Sequence, residues 1–326
     1  MKALYYDTYG PPDVLRFDDL PVPEPGSGEV LVRVCATSVN RTDNATIQAI
    51  PFLARLVTGV FRPKRRVPGT EFAGVVEKTG PDCGDFKAGE RVFGFDDQGT
   101  GAHAEYLVAP GDRMISIPEG IDFGQAAAGI EGLHYALNCI NKTGLREGDR
   151  ALVYGASGAI GSAAVQLLRH SGVSVTAVCG TEAVERVRAL GADQVIDYQK
   201  EDFVSAAGKH RFVLDSVGRV SFRRCWPLLE PGGVYISNDL GYLAQNVFLP
   251  LITRLIRPLL GGRHCRSPIP FNIPRSLRLA RDLLESGGFR PLYDRTFPFE
   301  NIVEAYRYVG RGQKIGNVVI SLENGS

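Results

Sequence analysis

Apolar and polar positions follow one rhythm in the first third of the chain and another afterwards. Up to about residue 120 the apolar positions come in short β-prone runs, Val30 to Val34, Gly74 to Glu77, Arg91 to Phe93 and Ala104 to Val108, divided by proline and glycine turns. That pattern predicts an irregular β-barrel or sandwich. From about Asp149 longer periods appear: Ala151 to Tyr154 reads as a buried strand, Ser162 to His170 as a helix and Val173 to Val178 as a strand. The alternation goes on with a helix over Glu182 to Leu190 and strands at Val195 to Ile196, Arg211 to Leu214 and Gly233 to Ile236. Repeated strand, helix, strand predicts a doubly wound parallel sheet. A proline-rich stretch, Leu249 to Pro274, precedes a helix over Arg275 to Glu285 and a final strand over Asn317 to Ile320. There is no internal repeat and no low-complexity tract.

The bulk numbers narrow the field. A chain of 326 residues with 44% hydrophobic content buries a sizeable core, with about two domains as the length prior. Lys and Arg number 37 against 36 Asp and Glu, so no global field favours nucleic acid or an anionic surface, and partners must be argued locally. The six cysteines, Cys35, Cys83, Cys139, Cys179, Cys225 and Cys265, are dispersed without C-x-x-C spacing. That disfavours a zinc ribbon or a disulfide framework and leads us to expect a reducing, cytoplasmic setting. The opening residues lack the apolar core of a secretory signal, and the most apolar stretch, Tyr242 to Leu260, is interrupted by Pro250, Arg254, Arg257 and Pro258. A soluble protein is expected.

One motif carries specific chemistry. Between the first strand and helix of the alternating region lie Gly155, Ala156, Ser157, Gly158, Ala159, Ile160 and Gly161, a G-x-x-G-x-x-G turn. Missing β-carbons there let backbone amides approach a pyrophosphate, and the helix N-terminus adds partial positive charge. Its place, after a strand and opening a helix, is the arrangement that confirms a dinucleotide site. NAD enzymes end the second strand with Asp or Glu against the ribose 2′-hydroxyl. Here the place holds Cys179, Gly180 and Thr181, which leaves room for a 2′-phosphate with Thr181 as donor and Arg186 or Arg188 as countercharge, so NADP(H) is the expected cofactor. Glu182 and Glu185 stand nearby and would repel a phosphate if turned inward. All four charges also fit an exposed helix face.

The whole chain resembles the medium-chain dehydrogenase/reductase superfamily, in its zinc-independent quinone oxidoreductase and enone reductase branch. The likeness rests on ordered matches: Met1 to Ala3 with Tyr9 to Leu15, Pro25 to Val32, Ala36 to Asn40, Pro68 to Val76, Phe86 to Gly94, Gly155 to Gly158, Leu190 to Asp193 with Val195 to Tyr198, and Asp215 to Gly218. The resemblance implies an α/β fold in which a Rossmann doubly wound parallel sheet over residues 123–289 binds NADP(H). A GroES-like β-rich catalytic domain is then formed by residues 1–122 and 290–326. It also implies an active site in the cleft joining the domains, and a homodimer. On this analogy Ser157, Ala159 and Ile160 contact the pyrophosphate beside Gly155, Gly158 and Gly161, and Val217 belongs to the cofactor-binding set. Gly180 and Thr181 face the adenosine ribose, Tyr198 packs near the adenosine phosphate, and Asn317 approaches the cofactor from the last strand.

Zinc-bearing relatives place a Cys, a His followed by Glu, and a further Cys or Glu around the metal, matching the N/S preference of Zn²⁺. This chain offers Asn40, Thr70 before Glu71, and Ile130 near the third position. Glu131 or Asp43 alone would hold zinc poorly, and the structural-zinc lobe reduces to Cys83. Without a Lewis acid, reduction of an already electrophilic acceptor is the expected reaction, with hydrogen-bond donors stabilising the developing oxyanion. Asn40 and Thr42 are the candidate donors, Asn40 being equally readable as a turn-capping amide. Asp43 orients either or caps the following helix. His134, where relatives show Thr, is a proton-donor candidate or a satisfied, partly buried histidine.

Two arginine-tipped apolar segments remain, Ile50 to Phe61 and Tyr242 to Leu260. They are read as walls of a hydrophobic substrate pocket, with shallow membrane contact or capture of a lipid-like quinone as the alternative. The expected activity is NADPH-dependent hydride transfer to a quinone or α,β-unsaturated carbonyl. The competing readings are a non-catalytic NADPH-binding protein, as among the vesicle-associated and lens-crystallin relatives, and a zinc-free ketone or alcohol oxidoreductase.

Overall fold

A computed structural model describes residues 1–50, 55–239 and 245–323. Parts of both apolar segments, residues 51–54 and 242–244, lie outside the described residues. Contacts gather the chain into two units, one of Met1–Glu131 with Asn272–Ser326 and one of Gly132–Phe271.

The first unit is organised around the long strand Glu29–Val39. It pairs antiparallel with Glu71–Thr79, with Tyr106–Pro110 and with the C-terminal strand Asn317–Ser321. The sheet continues outward through Tyr293–Pro298 on one side and through Arg91–Phe95 and Met114–Ser116 on the other. Its alternating positions Val30, Val32 and Val34 meet Phe72, Val76 and Val92 in a closed apolar interior, as a barrel-like β unit requires. A second cluster joins Leu4, Ile47, Ile302, Tyr306, Val318 and Ile320. The register sets Ser38 beside Val319 and Thr37 beside Phe72, so the end of the long strand lies next to the start of the strand that begins at Glu71.

In the second unit every strand pairing is parallel. The order runs Gln194–Asp197, Ser174–Cys179, Arg150–Tyr154, His210–Asp215, Leu229–Ser237, His264–Cys265, which is the 3-2-1-4-5-6 order of the Rossmann fold. Strands covered on both faces must be apolar along their whole length, and Ala151, Leu152, Val153, Phe212, Val213 and Leu214 are all fully buried. The expected fold class, α/β with a Rossmann sheet and a GroES-like β-rich unit, is the observed one.

Four local readings differ. The helix expected from Ser162 begins at Ala159, because Gly158 takes the N-cap and the glycine turn runs straight into the helix. The expected helix Glu182 to Leu190 divides into a 3₁₀ turn, Thr181–Ala183, and a helix, Val184–Ala189. A helix, Gln245–Leu255, runs into the proline-rich stretch and continues through Pro250. Finally, the helix Ile273–Glu285 belongs to the first unit, since its buried Ile273, Leu277, Ala280 and Leu284 lie on the side packed towards strands Arg91–Phe95 and Met114–Ser116. Its N-cap Asn272 adopts φ +62° and accepts a hydrogen bond from the Arg275 N–H at 3.2 Å. Asn272→Ala removes the cap and strains the left-handed backbone, and is expected to lower unfolding free energy by about 1–2 kcal/mol in urea titration. Asn272→Gly is expected to cost only a few tenths.

Candidate active site

In the nucleotide-binding unit the strand Arg150–Tyr154 ends in a turn that only glycine can make. Gly155 has φ +78°, and a β-carbon on it would lie 2.7 Å from Val217 Cγ1. At Gly161 a β-carbon would meet the Gly155 carbonyl oxygen at 2.2 Å. The Gly155 and Ala156 amides both donate to the Val178 carbonyl at 3.0 Å, and Gly158 N–H donates back to Gly155 at 3.1 Å. The helix Ala159–His170 therefore starts in a fixed orientation, with no side chain capping its N-terminus. Among the described residues the only neighbour within reach of a β-carbon added at Gly158 is the Gly155 carbonyl, at 3.5 Å. Open space before an uncapped helix N-terminus is what a pyrophosphate needs, with Ser157, Ala159 and Ile160 on the same turn. The residues present fit the diphosphate of a dinucleotide.

Other sequence-predicted residues of this unit gather at the ends of the neighbouring strands. Val217 lies against Gly155, and its N–H donates to Asp215 Oδ1 at 3.2 Å, as do the next two amides. The Tyr198 hydroxyl would lie 3.4 Å from a β-carbon on Gly180, so the phenol stands over that glycine. The Thr181 hydroxyl sits 2.6 Å from Asp197 Oδ2 and 2.8 Å from Gln199 Oε1. The Thr181 bond is the main reason why the Asp197 carboxyl titrates below its ordinary range. Arg186 is half-buried on the helix Val184–Ala189, while Arg188 pairs with Glu185 on the same helix. His134 is fully buried, with Nδ1 3.4 Å from the Asn138 amide and its ring edge-on to Tyr135.

The first unit contains a buried polar network at the end of the strand Glu29–Val39. Asn40 caps the helix Arg41–Gln48, and its N–H donates to Asp43 Oδ2 at 2.7 Å. Its side-chain amide lies 3.1 Å from Ser38 Oγ, 3.0 Å from Glu71 Oε1 and 3.3 Å from Glu131 Oε2. Its carbonyl oxygen accepts from Lys314 Nζ at 3.1 Å. Glu71 further accepts from the Ser38 hydroxyl and from the Glu131 N–H at 2.8 Å. Glu131 accepts from the Thr42 hydroxyl at 2.6 Å and from the Thr70 hydroxyl at 2.8 Å. The His103 ring steadies the strand end, with Nε2 2.8 Å from the Ser38 carbonyl and Nδ1 3.0 Å from the Tyr306 hydroxyl. Burial drives its pKa down to about 4.

Three carboxylates share this space with one ammonium. Burial, then the charge of Glu131, raises the Glu71 and Asp43 carboxyls well above their usual range. Burial lowers Lys314 to about 8, against the pull of Glu131, Glu71 and Asp294. Among the described residues three side chains bond the Glu131 carboxylate: Asn40 and Thr70 are buried, and Thr42 keeps part of its surface exposed. The network thus has a hydroxyl outlet. Asn317 is also buried in this unit: its amide donates to the Leu292 carbonyl at 3.1 Å, while its Oδ1 has no hydrogen-bond partner among the described residues. An orphaned buried acceptor is a place where a ligand's donor can bond.

Residues 26–119 match the family model described as the alcohol dehydrogenase GroES-like domain, and residues 190–320 match that described as zinc-binding dehydrogenase. The 2-methylene-furan-3-one reductase of Solanum lycopersicum is 30% identical, over 98% of this chain and 79% of its own length. The chain belongs to the medium-chain dehydrogenase/reductase superfamily. Within it the similarity falls in the quinone and enone reductase branch. The NADPH-dependent alkenal/one oxidoreductase of the Arabidopsis thaliana chloroplast is 29% identical, over 98% of this chain and 79% of its own. The quinone oxidoreductase structure from Coxiella burnetii superimposes with a TM-score of 0.85 at 27% identity, over 99% of both chains. This medium-chain family member is accordingly an oxidoreductase that uses a nicotinamide cofactor.

Zinc does not fit the network. Its candidate ligands are an amide, hydroxyls and carboxylates already bonded to one another, with an ammonium beside them; among the described residues the one imidazole of the network, His103, has both ring nitrogens engaged by Ser38 and Tyr306. Among the described residues no group of three His, Cys, Asp or Glu side chains is arranged to hold a metal ion. Sequence reasoning found Asn40, Thr42 and Asp43 but missed Ser38 and Lys314, and treated Glu71 and Glu131 only as failed ligands. An acidic residue inside an apolar strand start, as at Glu71 before Phe72 and Ala73, was the available signal. Nothing in the local sequence marks Lys314.

Proposed function

We propose that the protein is a zinc-independent, NADPH-dependent reductase whose hydride acceptor is a quinone or an α,β-unsaturated carbonyl. The observation that carries this reading is the partly exposed Thr42 hydroxyl bonded to the buried Glu131 carboxylate, in a network with no metal-ligand set. Bound NADPH supplies the hydride. As the substrate oxygen gains charge, the Thr42 hydroxyl turns its one proton from Glu131 Oε1 to that oxygen as a hydrogen bond, while Thr70 and Asn40 hold Glu131 in place beside it. Asp43 fixes Asn40, and Lys314 supplies positive charge beside the carboxylates. An acceptor that is already electrophilic needs no Lewis acid, whereas an alcohol substrate would need one to carry its alkoxide. The Cys179, Gly180 and Thr181 sequence, with no carboxylate of its own for a ribose 2′-hydroxyl, supports NADPH, as does the name of the Arabidopsis relative. The tomato and Coxiella relatives support the acceptor class.

Steady-state NADPH oxidation against a panel of quinones, alkenals and simple ketones tests the assignment. Turnover with a quinone or alkenal is expected. Reduction confined to ketones overturns the acceptor class, and no turnover with any acceptor makes the protein a nucleotide-binding module. Purified protein is also expected to contain zinc well below one ion per chain, with activity unchanged by chelator. One tightly held ion per chain with chelator-sensitive turnover would remove the metal-free mechanism.

A further inference from the structure

The helix Gln245–Leu255 and the turns that follow it carry apolar side chains on two sides. On the inner side the Asn246 amide donates to the Asp239 carbonyl at 2.9 Å, and Leu249 and Leu260 pack on the core of the nucleotide-binding unit. There too the Thr253 hydroxyl accepts the Cys265 N–H at 2.9 Å. The outer side carries Phe248, Leu251, Ile252, Leu255, Ile256 and Leu259, spaced three and four apart so that they form one stripe. Leu255 is 75% and Leu259 86% exposed. Single exposed leucines are ordinary, but a continuous stripe marks a surface that something covers.

Charge decides what covers it. From Leu240 to Phe271 the sequence has four arginines, Arg254, Arg257, Arg263 and Arg266, and no Asp or Glu. Arg254 and Arg257 are exposed and interleave with the stripe, and none of the four forms an ion pair among the described residues. Two copies meeting through this face about a twofold axis would bring arginine towards arginine. An anionic lipid surface offers phosphates to the arginines and hydrocarbon to the stripe. We propose that this face docks the protein in the plane of an anionic phospholipid bilayer, with the stripe at the headgroup–acyl boundary and Arg254 and Arg257 among the headgroups. Among the described residues no helix is long and apolar enough to cross a membrane, so the contact is a peripheral one.

Sedimentation of the full chain with vesicles tests the proposal. The protein is expected to pellet with vesicles of equal parts phosphatidylcholine and phosphatidylserine, to stay in solution with phosphatidylcholine alone, and to be released by salt. Replacing both Arg254→Gln and Arg257→Gln is expected to weaken partition by about thirtyfold. The double variant Leu255→Glu with Leu259→Glu is expected to abolish it, while thermal stability and NADPH binding stay as in the wild type. Failure to pellet with the mixed vesicles overturns the proposal, as does equal binding to neutral ones. A leucine variant that instead turns a stable dimer into monomers, with no wild-type pelleting, assigns the face to a second copy.

Discussion

Gly158→Asp is expected to weaken NADPH binding by more than about a hundredfold, the cost of setting a carboxylate against a diphosphate at short range. The position isolates charge from sterics, because an added β-carbon at Gly158 meets nothing nearer than the Gly155 carbonyl at 3.5 Å. The turn can therefore keep its shape while its sign changes. A carboxylate at the N-cap also bonds the first helical amides, which stabilises the helix and takes the very donors a phosphate would use. Thermal stability is thus expected to hold or rise while affinity collapses. Calorimetry with NADPH reads the result, and Gly158→Ala serves as the steric control with little loss. Unchanged affinity in the aspartate variant would detach this turn from the cofactor.

The two halves of the molecule were unequally legible in the sequence. The parallel sheet was readable because its strands are covered on both faces, so Ala151 to Val153 and Phe212 to Leu214 stand out as unbroken apolar runs between helical periods. The glycine turn was readable because its constraint is local: Gly155 and Gly161 are excluded from carrying side chains by atoms only a few residues away or on the adjoining strand end. The helix Ile273–Glu285 continues the strand and helix alternation in the sequence, and only its packing partners, Arg91–Phe95 and Met114–Ser116, group it with the β-rich part.

The polar network was the least legible because its bonds join distant segments. Asn40 and Glu131 are 91 positions apart, and Asn40 and Lys314 are 274 apart. Taken one at a time as metal ligands, Asn40, Thr70 and Glu131 each fall short. Together they satisfy one another: the amide and hydroxyl donors of the first two converge on the carboxylate of the third. The lysine that balances the charge comes from a segment with no spacing signature, so only folding reveals it.

That lysine predicts a pH dependence whose cause can be separated from stability. With its pKa lowered to about 8 by burial, Lys314 is charged below that pH and neutral above it. If its charge offsets the carboxylates facing it, kcat/KM for the acceptor should be flat below pH 8 and fall above it. The groups that set this value are Glu131, Glu71 and Asp294, which favour the charged form, and Arg41, which opposes it. Stability moves the other way: between about 8 and the ordinary 10.5 the unfolded chain holds a proton that the folded chain has released, so this residue's contribution to stability rises with pH there. The raised Asp43 and Glu71 carboxyls act in the opposite sense, holding in the folded chain protons that the unfolded chain has lost, so a variant is needed to isolate the lysine. Lys314→Met is expected to lower kcat by about a hundredfold, the scale of losing one preorganised electrostatic partner, and to abolish the alkaline limb. Lys314→Arg keeps the charge at all accessible pH and is expected to recover part of the rate while moving the limb out of range. A methionine variant with the wild-type pH profile would show that the ammonium only packs against Asn40, and the charge would have to come from elsewhere.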